Sequence, residues 1–276
     1  MGIMNKDVKI LIVPDVHARD FWKVPVSETL KETDAHIIFL GDYLDPYDDE
    51  WQGTGINPRE KAVETLQEII ALKKEHPDRI TLLLGNHDAG YVFGRDWCSS
   101  RMDFVRRGMI SNLFRDNYDL FQLAEIHVVN GKKFVFSHAG ISHEYAKVTM
   151  LLKDKDALPE IESVVDYLND GFLGHEENVI VPLSLYSNYR GYSGYWFGSV
   201  IWSDIREWVS KKPTSTSFDG VVNIMGHTQL SDKAINFENR IYDLDVRQCF
   251  YISSEGDVIY WDSNTALSET ITDVEE

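Results

Sequence analysis

His36-Ile37-Ile38-Phe39-Leu40-Gly41-Asp42-Tyr43-Leu44-Asp45 decides the fold. Its unbroken apolar run reads as a strand buried on both faces. Gly41 ends the run, and a residue without Cβ lets the chain turn sharply into the carboxylates Asp42 and Asp45. The same order of strand, turn and polar side chain recurs four times. Val8 to Val13 leads into Asp15-Val16-His17, and Ile80 to Leu84 leads into Gly85-Asn86-His87-Asp88. Phe134 to Phe136 leads into Ser137-His138-Ala139-Gly140, and Val221 to Met225 into Gly226-His227-Thr228. In α/β sheets, loops converge at the C-terminal ends of strands, so these five segments are expected to meet at one edge.

The chain between these segments supplies cover. Asn57-Pro58 reads as an N-cap followed by proline at the first helical position, leading into Ala62, Val63, Leu66, Ile69 and Ile70 at helical spacing and ending near His76-Pro77. Asn130-Gly131 between two apolar runs predicts a hairpin. Ala234 to Leu244 and Phe250 to Trp261, with a tip at Ser254 to Asp257, predict a second, largely antiparallel sheet after the last polar segment. The fold class is therefore α/β (α+β), a two-sheet β-sandwich flanked by helices. One domain is expected over residues 1–264, with insertions near 91–115 and 142–200 and an acidic C-terminal tail at 265–276.

The ordered set resembles the calcineurin-like metallophosphoesterases. It is most similar to the phosphoprotein (serine/threonine) phosphatase branch, whose signature runs Asp-x-His, Gly-Asp-x-x-Asp, Gly-Asn-His-Asp/Glu, a later His, then Gly-His. The resemblance spans residues 8 to 228 as anchor points and implies a four-layer sandwich that hydrolyses phosphate esters. The residues themselves offer carboxylate, imidazole and amide oxygen together, a mixture that suits two ions of manganese, iron or zinc, with manganese expected, better than calcium. Asp15 and His17 would face one ion, Asp42 would bridge, and Asn86, His138 and His227 would complete the second. Two such ions clamp a phosphate and activate a bridging hydroxide for direct attack. His87 is the candidate general acid and Asp45 the partner that orients it, the roles this pair has in the family. The other five histidines, His36, His76, His127, His143 and His175, follow no strand-then-turn pattern and read as ordinary hydrogen-bonded residues.

Composition narrows the partners. In 276 residues the net charge is −18, which opposes nucleic-acid backbone and anionic membrane, since binding those in bulk requires a basic face. A phosphorylated protein, peptide or small molecule is the expected substrate. Cys98 and Cys249 form no Cys-x-x-Cys pair and read as reduced thiols. With no secretory signal and no run of membrane-span length, the cytoplasm is the expected compartment.

The chain departs from the family pattern at one point. Phosphoprotein phosphatases continue Gly-Asp-x-x-Asp with Arg-Gly, and that arginine holds the substrate phosphate, whereas Pro46-Tyr47 stands here. Trp202-Ser203-Asp204 is similar to the family's Trp-Ser-Asp element. Arg206 just beyond it and Arg190 in a tyrosine-rich loop (Tyr186, Tyr189, Tyr192, Tyr195) are the replacement candidates, followed by the arginines of 91–115. The resulting reading is a dinuclear-metal phosphomonoesterase of serine/threonine phosphatase type. The alternatives are a phosphodiesterase or nucleotide (diadenosine) polyphosphate hydrolase on the same site, and a non-catalytic binding module of the same fold.

Overall fold

The structure, a computed structural model, describes residues 7–94, 101–152, 158–190, 197–210, 218–231, 233–262 and 267. Cys98, Tyr192, Tyr195, the side chain of Arg190 and nearly all of the expected tail lie outside the described residues.

β1 (Val8–Val13), β2 (His36–Phe39), β3 (Ile80–Leu83) and β4 (Phe121–Gln122) run parallel in sequence order in the first sheet. The second sheet holds β5 (Ala124–Val129), β6 (Lys132–Ser137), β7 (Val221–Met225), β8 (Ile235–Phe237) and β9 (Ile241–Asp243) in the order β5-β6-β7-β9-β8. β10 (Phe250–Ser253) and β11 (Val258–Tyr260) return to the first sheet, whose order is β11-β10-β1-β2-β3-β4.

Period-two alternation divides the core. Ile10, Ile12, Ile38 and Leu40 point into the layer between the sheets, against Phe134, Phe136 and Ile224. Leu11, Val13, Ile37 and Phe39 point the other way, toward Val26 of α1 (Lys23–Glu32) and Leu66 and Ile69 of α2 (Pro58–Glu75). α2 begins as its sequence predicts, with Asn57 Oδ1 accepting from the amides of Arg59 and Glu60. The hairpin at Asn130-Gly131 has both residues at positive φ, 50° and 73°, as a type I′ turn requires.

The C-terminal third differs from expectation, because it builds no sheet of its own. β8 and β9 pair antiparallel and join the second sheet through a parallel β7–β9 contact, while β10 pairs antiparallel with β1. Apolar side chains on both faces of β10 explain this. Phe250 and Ile252 enter the layer between the sheets and Tyr251 enters the helical layer. A strand apolar on two faces needs cover on both, which the interior of the first sheet supplies.

The two stretches expected as insertions are partly regular. α3 (Asn86–Phe93) runs into the first, which contains α4 (Arg107–Arg115). The second contains α5 (His143–Thr149), α6 (Ile161–Leu173) and α7 (Glu177–Ile180), followed by α8 (Ile205–Ser210). α6 covers the outer face of the second sheet near β5, and Trp208 of α8 packs on Met225 and Ile241.

Candidate metal and phosphate site

Each strand ends in a turn that aims a polar side chain. Five non-glycine residues at or beside these turns have left-handed backbones: His17 (φ 43°), Ala18 (68°), Asp42 (52°), Asp45 (54°) and His227 (72°). Such conformations cost about 1–3 kcal/mol each and cluster where side-chain direction matters. Two glycines make room for the carboxylates. A Cβ at Gly85 would lie 2.2 Å from Asp42 Oδ1, and one at Gly226 would lie 2.0 Å from Asp15 Oδ2.

Asp15, His17, Asp42, Asn86, His138 and His227 are brought together and buried. His17 Nε2 is 3.4 Å from Asp42 Oδ2, and His138 Nε2 is 3.5 Å from Asp42 Oδ1. Asn86 Oδ1 lies 2.9 Å from both His138 Nε2 and His227 Nδ1. Asp15 accepts the amide of His227 on both oxygens, at 3.1 and 3.0 Å. Asp42 thus stands between two groups, His17 on one side and His138 with His227 on the other.

Hydrogen-bond direction shows that this donor set fits a cation. His17 Nδ1 lies 2.7 Å from the Leu44 carbonyl, and His138 Nδ1 lies 2.9 Å from the Leu40 carbonyl. A carbonyl only accepts, so each Nδ1 carries the proton and a neutral ring leaves Nε2 bare. Burial drives the His17 pKa well below its usual range and favours that neutral form. The bare Nε2 atoms then face carboxylate and amide oxygens, which are also acceptors. Acceptors converging in this way, each imidazole oriented by a carbonyl behind it, are what a metal ion requires.

The electrostatics agree with that requirement. Burial pushes the Asp15 carboxyl up, with Asp42 adding to the effect, while the neighbouring His138 opposes it. Burial also opposes ionisation of Asp42, but the rings of His138, His87 and His17 and the His87 amide outweigh it and hold the carboxyl at about 2.

His87 and Asp45 sit at the mouth of this cluster. His87 Nδ1 lies 2.9 Å from Asp45 Oδ2, and the Tyr91 hydroxyl donates to Asp45 Oδ1 at 2.6 Å. The His87 ring meets that of His17 edge to face at 5.0 Å and is slightly exposed.

Two features escape the sequence reading. Asp88 is buried and cross-links two of the turns: it accepts from the amides of Gly85 and Asp42 on Oδ2, and from that of Tyr43 on Oδ1. Its place beside Asn86-His87 was a signal, since a carboxylate in the first helical turn favours reaching back to the amides before it. Asp243 ends β9 and Asp245 follows it, beside the His227 turn; both are buried, and burial first, then neighbouring carboxylates, pushes both well up. They repeat the pattern of a strand running into carboxylates, so the same rule could have found them.

Arg101 is one of the 91–115 arginines that the sequence offers as further candidates. Its guanidinium stacks on the Tyr47 ring at 3.6 Å, donates from Nε to the Asp45 carbonyl at 3.0 Å, and places Nη2 3.2 Å from His87 Nε2. The cation therefore comes from the 91–115 stretch onto Tyr47, the residue after Pro46, which occupies the position of the family's arginine. Arg206 is instead bound to Asp204, at 2.9 and 3.2 Å, and to the Tyr189 carbonyl. Its segment does border the site, because Trp202 packs edge-on against His227 at 5.6 Å.

A family model described as calcineurin-like phosphoesterase matches residues 8–235. A relative named "Probable serine/threonine-protein phosphatase", from Encephalitozoon cuniculi, is 27% identical over 169 residues, 60% of this chain and 32% of the relative. The aligned part thus spans about a third of that relative's length. Among solved structures, the cold-active protein-tyrosine phosphatase of a psychrophilic Shewanella aligns with a TM-score of 0.51 at 12% identity, covering 92% of this chain and 80% of that one. Another structure of a cold-active protein tyrosine phosphatase aligns with a TM-score of 0.50 at 12% identity, covering 93% and 79%. At such identity the likeness speaks for the fold alone.

Proposed function

The chain belongs to the calcineurin-like phosphoesterase family, and from that premise we propose that it is a dinuclear-metal phosphomonoesterase acting on a phosphorylated protein, peptide or small molecule. The ions would be held by Asp15, His17, Asp42, Asn86, His138 and His227, with Asp42 shared. The observation that carries this reading is the convergence of bare imidazole nitrogens and side-chain oxygens on Asp42, with the rings' other nitrogens committed to backbone carbonyls. When bound, two divalent ions, with manganese expected and iron or zinc as the other fits, supply positive charge to the phosphoryl oxygens and acidify water at the site.

The chain's own residues then have separable tasks. Asp45 and Tyr91 orient His87, whose Nε2 faces the mouth of the cluster. In the structure Nε2 accepts from Arg101, because a guanidinium can only donate. We infer that a substrate phosphate draws the guanidinium away. Arg101 then binds phosphoryl oxygens through its planar fork, and Nε2 becomes free to carry a proton to the leaving oxygen. Tyr47, which cannot supply the charge of the family's arginine, supplies the face on which a different arginine rests.

The test compares p-nitrophenyl phosphate with its bis ester on protein stripped of metal and reloaded. The expected result is no turnover without metal, recovery best with manganese, and preference for the monoester. Full turnover in metal-free protein ends the proposal, and preference for the bis ester moves it to phosphodiesters or nucleotide anhydrides on the same residues.

A further inference from the structure

A second cluster of metal-ligating side chains gathers at the N-terminal end of β2. His36 opens β2, while Glu125 and His127 occupy alternate positions of β5 and so share one face. Each offers a ligand atom, and the three atoms lie within 4.8 Å of one another. His36 lies six positions before Asp42, at most roughly 20 Å at about 3.3 Å per residue, and the cluster shares no side chain with the phosphate site.

The local polar geometry is incomplete. His127 Nε2 is inaccessible to solvent and has no hydrogen-bond partner among the described residues, although it lies 3.5 Å from Glu125 Oε1. His36 Nε2 lies 2.8 Å from the Thr81 hydroxyl, which is 3.5 Å from Glu125 Oε2. A hydrogen bond with the Asp78 backbone holds the His36 ring from elsewhere, and the two rings lie 4.7 Å apart, tilted at 43°. The side chains of Glu125 and His127 are each 26% exposed, so the cluster is reachable from solvent. A buried ring nitrogen without a partner is costly, and two imidazoles and a carboxylate together are satisfied by one borderline cation. Lys73 Nζ, the nearby positive group on α2, is tied to the carbonyls of Pro77 and Ile80.

We propose that His36, Glu125 and His127 form a separate binding site for one divalent transition ion of the zinc class, with its remaining position open to water or to the Thr81 hydroxyl. Two histidines and a glutamate with an open position form a known zinc donor set, and harder ions such as magnesium would reject the imidazoles. The bound ion ties β2 of the first sheet to β5 of the second. It takes no part in the chemistry at the other strand ends, so the proposal stands or falls independently of the proposed function.

The experiment loads the full chain with Zn²⁺, removes loosely held metal by gel filtration, and counts ions per chain by mass spectrometry. The unmodified protein should retain one more equivalent than Glu125→Gln and one more than His127→Ala, with p-nitrophenyl phosphate hydrolysis unchanged in both variants. Zn²⁺ should also raise the thermal midpoint of the unmodified protein above that of Glu125→Gln by roughly 5 °C when present at about 100 times its Kd. Equal ion counts in the unmodified protein and a folded variant overturn the proposal. Should both variants fail to fold, anomalous scattering at the zinc edge from crystals of the unmodified protein decides: a peak among the three side chains supports the site, and its absence overturns it.

Discussion

β2 begins at one polar cluster and leads into another, and the two are built differently. Past its C-terminal end, Asp42 is delivered by a turn with a glycine before it and a left-handed backbone of its own, and the neighbouring strands supply partners through turns of the same kind. At its N-terminal end, His36 is an ordinary strand residue that meets Glu125 and His127 because two sheets happen to face each other there. The first cluster is organised by local chain geometry and strain, and the second by packing between layers. Strain of this kind is retained where side-chain direction matters to chemistry. Changes at the turn end should therefore alter activity with little effect on stability, and changes at the sheet end should do the reverse.

The largest break of that comparison is at Asp42. Asp42→Asn keeps the shape but removes the shared charge, and it should lower turnover by about 10³-fold or more, since charge stabilisation by metal contributes several kcal/mol. Its thermal midpoint should fall little, because asparagine keeps the shape and its side-chain oxygen can still accept the His87 amide. Steady-state kinetics together with calorimetry of the metal-free protein check both halves. A variant that is inactive only because it is unfolded would contradict the division.

His87→Asn sharpens the comparison within the turn end by separating proton transfer from metal binding. Metal content should stay near normal, while turnover falls by about 10² to 10⁴ for esters with poor leaving groups. Activated esters should lose less. A uniform loss across a leaving-group series would show that His87 does not donate the proton.

Arg101→Ala comes next, with an expected loss of about 10² in kcat/KM and with metals retained, the worth of one charge-assisted donor in a desolvated site. Lysine should restore only part of it, because a point charge lacks the planar fork. Parental kinetics in Arg101→Ala would return the phosphate to Arg206 or Arg190.

The same contrast explains how far the sequence could be read. The strand-to-turn segments were legible because each donor is adjacent to the strand that positions it, and a glycine or an apolar run marks the spot. The sheet that β10 joins is not legible, because an apolar strand does not say which neighbour it will pair with, and that choice is tertiary. Arg101 could be named only as one arginine of an insertion, since its stack on Tyr47 joins residues 54 positions apart. His36 and His127 read as ordinary histidines for the same reason: a residue inside a strand carries no local sign of what faces it from another layer.

The smallest effect tests the sheet end alone, as a dependence of stability on pH. The His36 pKa is lowered to about 4, chiefly by burial, with His127, Lys73 and Arg79 adding to it and the Asp78 backbone opposing it. His127 is lowered as well, again by burial, with Glu125 opposing it. An unfolded histidine takes up its proton near pH 6.5. Between about 6.5 and 4 the unfolded chain therefore binds more protons than the folded one. Stability is at its full value above about pH 6.5 and is lost as pH falls toward 4. The partly exposed ring limits this to about 1–2 kcal/mol for His36, well below the full conversion of its shift. Denaturant titrations of metal-free protein at pH 7 and pH 4.5 should show that loss, and His36→Gln should reduce it while leaving ester hydrolysis at pH 7 unchanged. Zn²⁺ should steepen the slope in the unmodified protein, because an ion bound to neutral imidazole must be displaced by the same protons. An unaltered slope in His36→Gln would show that the pH response arises elsewhere, and a fall in hydrolysis would show that the two ends of the strand are coupled after all.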